Sequence, residues 1–402
     1  MLHRLICAIL AALLPLLVAV PVFAQDDPSS SPVICGDLPE ADCALIEESN
    51  LAMRDLSSYS IAATADFSMT GIPDMPADPL AVNVQFDGSF ALDDAAKAVA
   101  EQMKSLMLGG SVADAEAMGR NMPDMLRDLF GGMDFDITFH YTVPPELAEA
   151  MSQDSDVPMP ETFAIEVRLI DGTMYINVAD LRALDPSMAE EITSDWIGID
   201  YVGLLEMQMK QDSMEGDPAA AGAAATLAMS QFMEEMKQYI GVERLDDTDL
   251  GDQEGAVFAY TFDIIGFLTS DSFRTAVENT LTAAGEDTSA SDVKEGLTML
   301  NFVAPMLFRD LEVSAQTEIG LDDKMLYSQS FDFSWDLASV MQLAAMSDQS
   351  VADAMGDAKP AVSFNFSGEY ADFNDEMLFE TPEDVQMIPL EQLAPPDTSA
   401  VF

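Results

Sequence analysis

Basic side chains and histidine are what this chain of 402 residues lacks most: 16 Lys and Arg and two His stand against 72 Asp and Glu. One-to-one pairing leaves at least 56 carboxylates without a basic partner (72 − 16 = 56), so most of the acids must be solvated. Such a surface repels nucleic acid and anionic headgroups, and no nucleic-acid partner is expected. Salt, or divalent cations at the acidic surface, would relieve its self-repulsion. Of the histidines, only His140 lies beyond the first 24 residues. Its parity in an alternating run puts it on the polar side with Asp136, Thr138 and Thr142. A Ser-His-Asp triad or a His-rich metal centre would have to be built on that one imidazole. No G-x-S-x-G elbow, H-E-x-x-H helix or GxxxxGK[ST] phosphate loop is present. No catalytic residue, metal site or cofactor is expected, and the chain reads as a non-enzyme.

Cysteine and long apolar runs are scarce as well. The one extended apolar run, Leu5 to Val20, follows Arg4 and ends at "VFA" before Gln25, which makes residues 1–24 a signal peptide. An uncleaved anchor is the alternative, though the run is short for a full span. No later stretch approaches the roughly 20 apolar residues a membrane helix needs, so a secreted or extracytoplasmic, soluble chain is expected. Three cysteines occur in all. Cys7 leaves with the signal, and Cys35 and Cys43 in "CGDLPEADC" suit a local disulfide in an oxidising compartment. Its loop closure would be worth about 2.5 kcal/mol in the chain-entropy model. "PVIC" lacks a small residue before Cys35, which argues against a lipid anchor there.

What the chain does have is hydrophobic content, 49%, enough to build a core. It is arranged with a period of two. Tyr59, Ile61, Ala63, Ala65, Phe67 and Met69 alternate with polar or small residues. So do Val82, Val84, Phe86, Phe90 and Leu92; Phe135, Ile137, Phe139 and Tyr141; and Phe163, Ile165, Val167 and Leu169. Phe258, Tyr260 and Phe262, then Tyr327, Phe331, Phe333 and Trp335, then Val362, Phe364, Phe366 and Tyr370 continue the pattern. Each run has one aromatic-rich face and one polar face, the mark of an antiparallel sheet wetted on one side. "DGTMYINVAD", 171–180, follows one run and supplies a hairpin turn at Asp171-Gly172. Residues 45–56 carry apolar positions at helical spacing, and further helical segments are expected near 94–130, 200–240, 265–308 and 337–356. Many of the 28 methionines fall in them. Methionine there is either core filler or the flexible lining of an apolar pocket. The acidic "LDDTDLGDQEG", 245–255, fails the calcium-loop pattern because Asp252 stands where the glycine belongs, so a solvated hairpin turn is expected. The expected fold is α+β: a curved antiparallel half-barrel sheet of about 10–11 strands with helices packed on its apolar concave face.

Several stretches together resemble the exported LolA and LppX/LprG-type lipoprotein carriers. They are "VRLIDGTMYINV" (167–178) with "DWIGIDYVGLL" (195–205), "GAVFAYTFDIIGFL" (255–268) and "FSGEYADFNDEMLFETPEDV" (366–385). The resemblance implies a half-open β-barrel closed by helices over a lipid-binding cavity, spanning 58–390 with helical insertions. A linker, cysteine loop and short helix at 25–57 would precede it, and a tail at 391–402 would follow. The chain departs from the resemblance in its length, its acidity and its missing lipid anchor. The expected function is a non-enzymatic carrier or binding protein for lipid or another hydrophobic ligand. Phe67, Phe86, Phe139, Ile165, Tyr175, Phe258, Phe262, Phe331 and Phe333 would line its cavity, with the side on which Tyr175 falls depending on register. The alternatives are a cell-envelope interaction module with a filled core and, third, a carboxylate-dependent hydrolase with paired acids in a cleft.

Overall fold

The computed structural model describes residues 33–71, 79–107, 124–152, 160–184, 192–212, 236–271, 273–275, 302–347 and 359–393. The expected signal peptide at 1–24, the compositionally simple stretch at 213–228 and residues 394–402 of the expected tail lie outside them.

The alternating runs form strands, as their two-residue period requires. They are β1 (Ser58–Thr70), β2 (Leu80–Leu92), β3 (Met133–Thr142), β4 (Thr162–Ile170), β5 (Thr173–Asn177), β6 (Trp196–Asp200), β7 (Ile240–Arg244), β8 (Thr248–Asp249), β9 (Glu254–Phe262), β10 (Leu311–Gly320), β11 (Leu326–Asp336), β12 (Ala361–Ala371) and β13 (Val385–Met387). All 13 join one sheet in the order β13-β6-β5-β4-β3-β2-β1-β12-β11-β10-β9-β7, with β8 on β9. Its outermost strands, β13 and β7, do not pair with each other, so the sheet is not closed into a barrel. The fold is α+β, with more strands than the 10–11 expected. The surplus includes β8 and β13, two and three residues long, which are too short to show a period. β10 was also unanticipated: its apolar side, Leu311, Val313, Ala315 and Thr317, carries no aromatic.

The sheet is two meanders sewn together. β1 to β6 follow one another, β9 to β12 do the same, and β1 pairs antiparallel with β12 along 11 registered positions from Ser60↔Ala371 to Thr70↔Ala361. After β12 the chain runs back to the far edge, where β13 pairs with β6 in parallel. At the expected hairpin, Asp171 and Gly172 have φ of 50° and 74°, the positive pair that a two-residue turn between twisted strands demands. The Gly172 carbonyl accepts from the backbone N–H groups of Tyr201 and Val202. At 245–255 the chain makes the expected acidic hairpin, with Asp249 opposite Glu254 and the Gly251 N–H donating to the Asp249 carboxylate.

Helices enter where strands end. They are α1 (Glu40–Arg54), α2 (Asp94–Met107), α3 (Pro145–Ser152), α4 (Ala179–Leu184), α5 (Tyr201–Asp212), α6 (Ile264–Leu268), α7 (Ala338–Ser347) and α8 (Leu390–Leu393). Five of them follow a strand through an Asx cap. The side-chain oxygens of Asp93, Asn177, Asp200, Asp263 and Asp336 accept from the N–H groups of Ala96, Ala179, Gly203, Gly266 and Ala338 at 2.7 to 3.1 Å. Each cap satisfies an N–H that the helix itself cannot, and four place a negative charge at the positive end of the helix dipole. Part of the acidic surplus therefore has a structural task.

α1 packs on the apolar side of the sheet, its Leu45 and Ile46 buried in the same cluster as Phe258, Tyr370 and Leu326. Arg244 on β7 ties it down through an ion pair with Asp42 while its guanidinium lies 5.9 Å from the Phe258 ring centroid. Cys35 and Cys43 form the expected disulfide. Its loop sits on the edge of β7: Gly36, with φ +51°, comes so near that a Cβ there would stand 3.2 Å from the Val242 nitrogen. The loop thereby covers an edge that would otherwise be open to pairing with another chain. No described helix is long and apolar enough to cross a membrane.

Candidate functional site

The register stacks the inward side chains of the long strands into rows that cross the sheet, and these rows differ in how far they are buried. The first is Tyr59–Phe90–Phe135–Leu169–Met174–Ile199. All six are buried, and Tyr59 stacks on Phe90 with centroids 5.1 Å apart. Four residues further along β1, Ala63 aligns with Phe86, Phe139 and Ile165 on one side. On its other side it aligns with Gly368, Gln329, Thr317 and Phe258. Phe139 and Phe258 retain 1% and 0% of their exposure.

A further four residues on, the row Phe67, Val82, Phe364, Phe333 and Val313 is only half-buried. Phe331, Phe366 and Trp335 at the same end are half-buried too. The rings there still touch: Phe331 and Phe364 lie 6.2 Å apart, and Phe86 and Phe366 6.3 Å. Trp335 donates its indole N–H to the Leu307 carbonyl and stacks on Phe308 at 5.3 Å. The same apolar face is thus a dense core at one end and a half-open aromatic shelf at the other. From Tyr59 to Phe67 along β1 the distance is about 26 Å.

Eight of the nine expected lining residues share this face. Phe86, Phe139, Ile165 and Phe258 belong to its buried part, while Phe67, Phe331 and Phe333 belong to the shelf. Phe262, half-buried, lies towards the end of β9 with its ring 5.7 Å from that of Phe267 on α6. Tyr175 is on the opposite face. It registers with Arg168 and Gly198, so the hairpin turns Met174 and Ile176 inward and Tyr175 outward. It is buried nonetheless, on the face that the segment after β12 crosses. There Arg168 donates to the Glu380 carbonyl at 2.8 Å, and Met387 lies over Gly198.

Arg168 is the hub of that outer face. It pairs with Asp136 at 3.0 Å and Glu166 at 2.5 Å, and its guanidinium lies 5.1 Å from the Trp196 ring centroid. Burial pushes the Asp136 carboxyl above its ordinary 3.8, with Arg168 pulling the other way. Asp134 is raised as well, again chiefly by burial, with the negative charges of Asp171 and Asp93 adding to it. His140 is exposed on this face, between Gln85 and Ala164.

Acid chemistry and metal binding need side chains that converge. Among the described residues, the one group of three or more His, Cys, Asp or Glu with ligand atoms within 4.8 Å of one another is Cys35, Cys43 and Glu47. Both of its sulfurs are taken up by the disulfide. A depression of about 480 Å³ is lined by Arg54, Asp55, Lys97 and Ala98, where the end of α1 meets α2. On the apolar face the phenols of Tyr59 and Tyr370 are pushed far above their ordinary range by burial. The register of β5 decided Tyr175, and the difference between core and shelf lies in the graded burial along the strands. Neither has a signature in residue type.

No family model and no curated protein matches the chain.

Proposed function

We propose that the chain is an extracytoplasmic, non-enzymatic carrier or sequestering protein that takes up lipid or another hydrophobic molecule on the apolar face of its sheet. One observation carries this: the face passes within single strands from a sealed core to a group of aromatic side chains that stay only partly buried, apolar surface that suits a hydrophobic partner. An apolar molecule laid on the shelf would remove Phe67, Phe331, Phe333, Phe364 and Phe366 from water at about 25 cal/mol per Å². The disulfide suits an oxidising compartment. The resemblance to the LolA and LppX/LprG-type carriers supports the same reading, since their half-open barrel matches a sheet whose ends do not meet. Native mass spectrometry of the purified chain, with organic extraction of what it carries, tests the proposal. A bound or titratable apolar ligand is expected, and repeated failure to find one by either route would end it.

A filled-core interaction module is the second reading. It is favoured by the tight packing of the first two rows and by the polar lining of the Arg54–Lys97 depression. It predicts that a neutral apolar dye such as 1-aminoanthracene gains no fluorescence with the protein, whereas the carrier reading predicts saturable enhancement.

A further inference from the structure

The Tyr370 hydroxyl is buried on the apolar face and meets no hydrogen-bond partner among the described residues. It belongs to the sealed end, with 3% of its surface exposed and its ring centroid 6.1 Å from that of Tyr59. A buried hydroxyl without a partner forfeits the bond it makes to water in the unfolded chain, so such a group either is a defect or awaits an acceptor. Burial keeps both phenols protonated across the physiological range, and Tyr370 therefore presents a neutral O–H donor.

Its position on β12 gives that donor an approach. Phe364 and Phe366 belong to the half-buried shelf. Gly368 follows on the same face opposite Ala63, and Tyr370 comes next. From Phe366 to Tyr370 the strand advances about 13 Å. Gly368 offers no side chain in that interval, and the Phe366 ring leans back over it, its Cζ 3.3 Å from where a Cβ would stand.

We propose that Tyr370 donates a hydrogen bond to a neutral acceptor, an ester, ketone or amide carbonyl, on the hydrophobic ligand. The hydrocarbon would then run along β12 past Phe366 towards Phe364 and Phe331. This rests on the carrier reading and narrows it: the ligand is not a bare hydrocarbon, and its buried end is not ionised. The apolar surroundings that disfavour a phenolate at Tyr370 disfavour a carboxylate for the same reason. An ionised group, if the ligand has one, lies towards the shelf and water.

Displacement of 1-aminoanthracene by methyl oleate and by 1-octadecene, with the wild-type chain and Tyr370→Phe, tests the assignment. The wild type is expected to prefer the ester by about tenfold, the worth of one hydrogen bond in a dry site. Tyr370→Phe is expected to bring the two probes within about twofold while leaving the alkene's affinity unchanged. The substitution removes a single oxygen, and thermal unfolding of the unliganded variant, unchanged or higher in Tm, verifies that the fold survives. An ester preference that is absent in the wild type, or equal in both proteins, overturns the proposal and leaves the carrier reading standing; the hydroxyl is then a core group bonded at most to water. Failure of the wild type to bind either probe overturns both.

Discussion

Gly172 is held on two counts, by its backbone and by its surroundings. With φ +74° it occupies the left-handed region, where a Cβ costs about 1 kcal/mol. That Cβ would also stand 2.9 Å from Val202 Cγ2. Gly172→Ala is therefore expected to lower unfolding free energy by about 1–3 kcal/mol in urea titration. Gly251→Ala, at φ +92° with open space around it, should show the backbone part alone. Equal losses at the two sites would refute the packing contribution. Arg168 offers a second test. Asp136 is raised by burial and held down by Arg168, so Arg168→Met should move its carboxyl higher still, as seen by NMR titration. A carboxyl whose folded pKa lies above its unfolded value favours the folded state most below the unfolded pKa, and that benefit is lost as pH rises through the folded pKa. In Arg168→Met the decline between acid and neutral pH should steepen; a flatter profile would contradict the assignment. Residue types alone disclosed the Asp171-Gly172 turn, because only certain residues tolerate positive φ. They did not disclose that Tyr175 faces outward, because parity on a five-residue strand says nothing until its register across the turn is fixed.

At the scale of elements, the chain solves one problem five times: how to pass from a strand to a helix without orphaning the helix's first N–H groups. Asp200 is the cap at which a loss is simplest to read, since its carboxylate accepts from Gly203 N–H at 2.8 Å. Asp200→Ala should cost about 1 kcal/mol and Asp200→Asn only a few tenths. Equal losses in the two would show that charge rather than the hydrogen bond matters there. Strands with aromatic inward faces were legible because alternation of bulky and polar residues has no helical counterpart. β10 was not, since the apolar side of "LEVSAQTEIG" carries no aromatic and includes Ala315 and Thr317, and its place between β9 and β11 comes from tertiary pairing. The β6–β13 pair was equally hidden, being three registered positions joined from strands nearly two hundred residues apart.

Across the whole molecule, the surplus of 56 negative charges acts as diffuse self-repulsion. Adding NaCl from about 10 mM to 0.5 M shortens the screening length from roughly 30 Å to below 8 Å, and Tm should rise over that range. A fall would mean that ion pairs such as Arg168 with Asp136 outweigh the repulsion. The partly buried shelf could not be read from composition, because its aromatics have the same alternation as those of the sealed core. The seam between the meanders has a consequence for biosynthesis. Ser60 pairs with Ala371, so β1 finds its second neighbour only after 311 further residues have been synthesised (371 − 60 = 311). β1 to β6 can assemble by local hairpins, but one flank of β1 stays unpaired until β12 is made. Non-local pairing of that kind is slow, and a strand kept waiting is open to the wrong partner. The Asp66, Ser60, Thr64 and Ser68 side chains along β1's polar face keep half of that waiting strand hydrated. Its apolar half is what a chaperone would have to hold until β12 arrives.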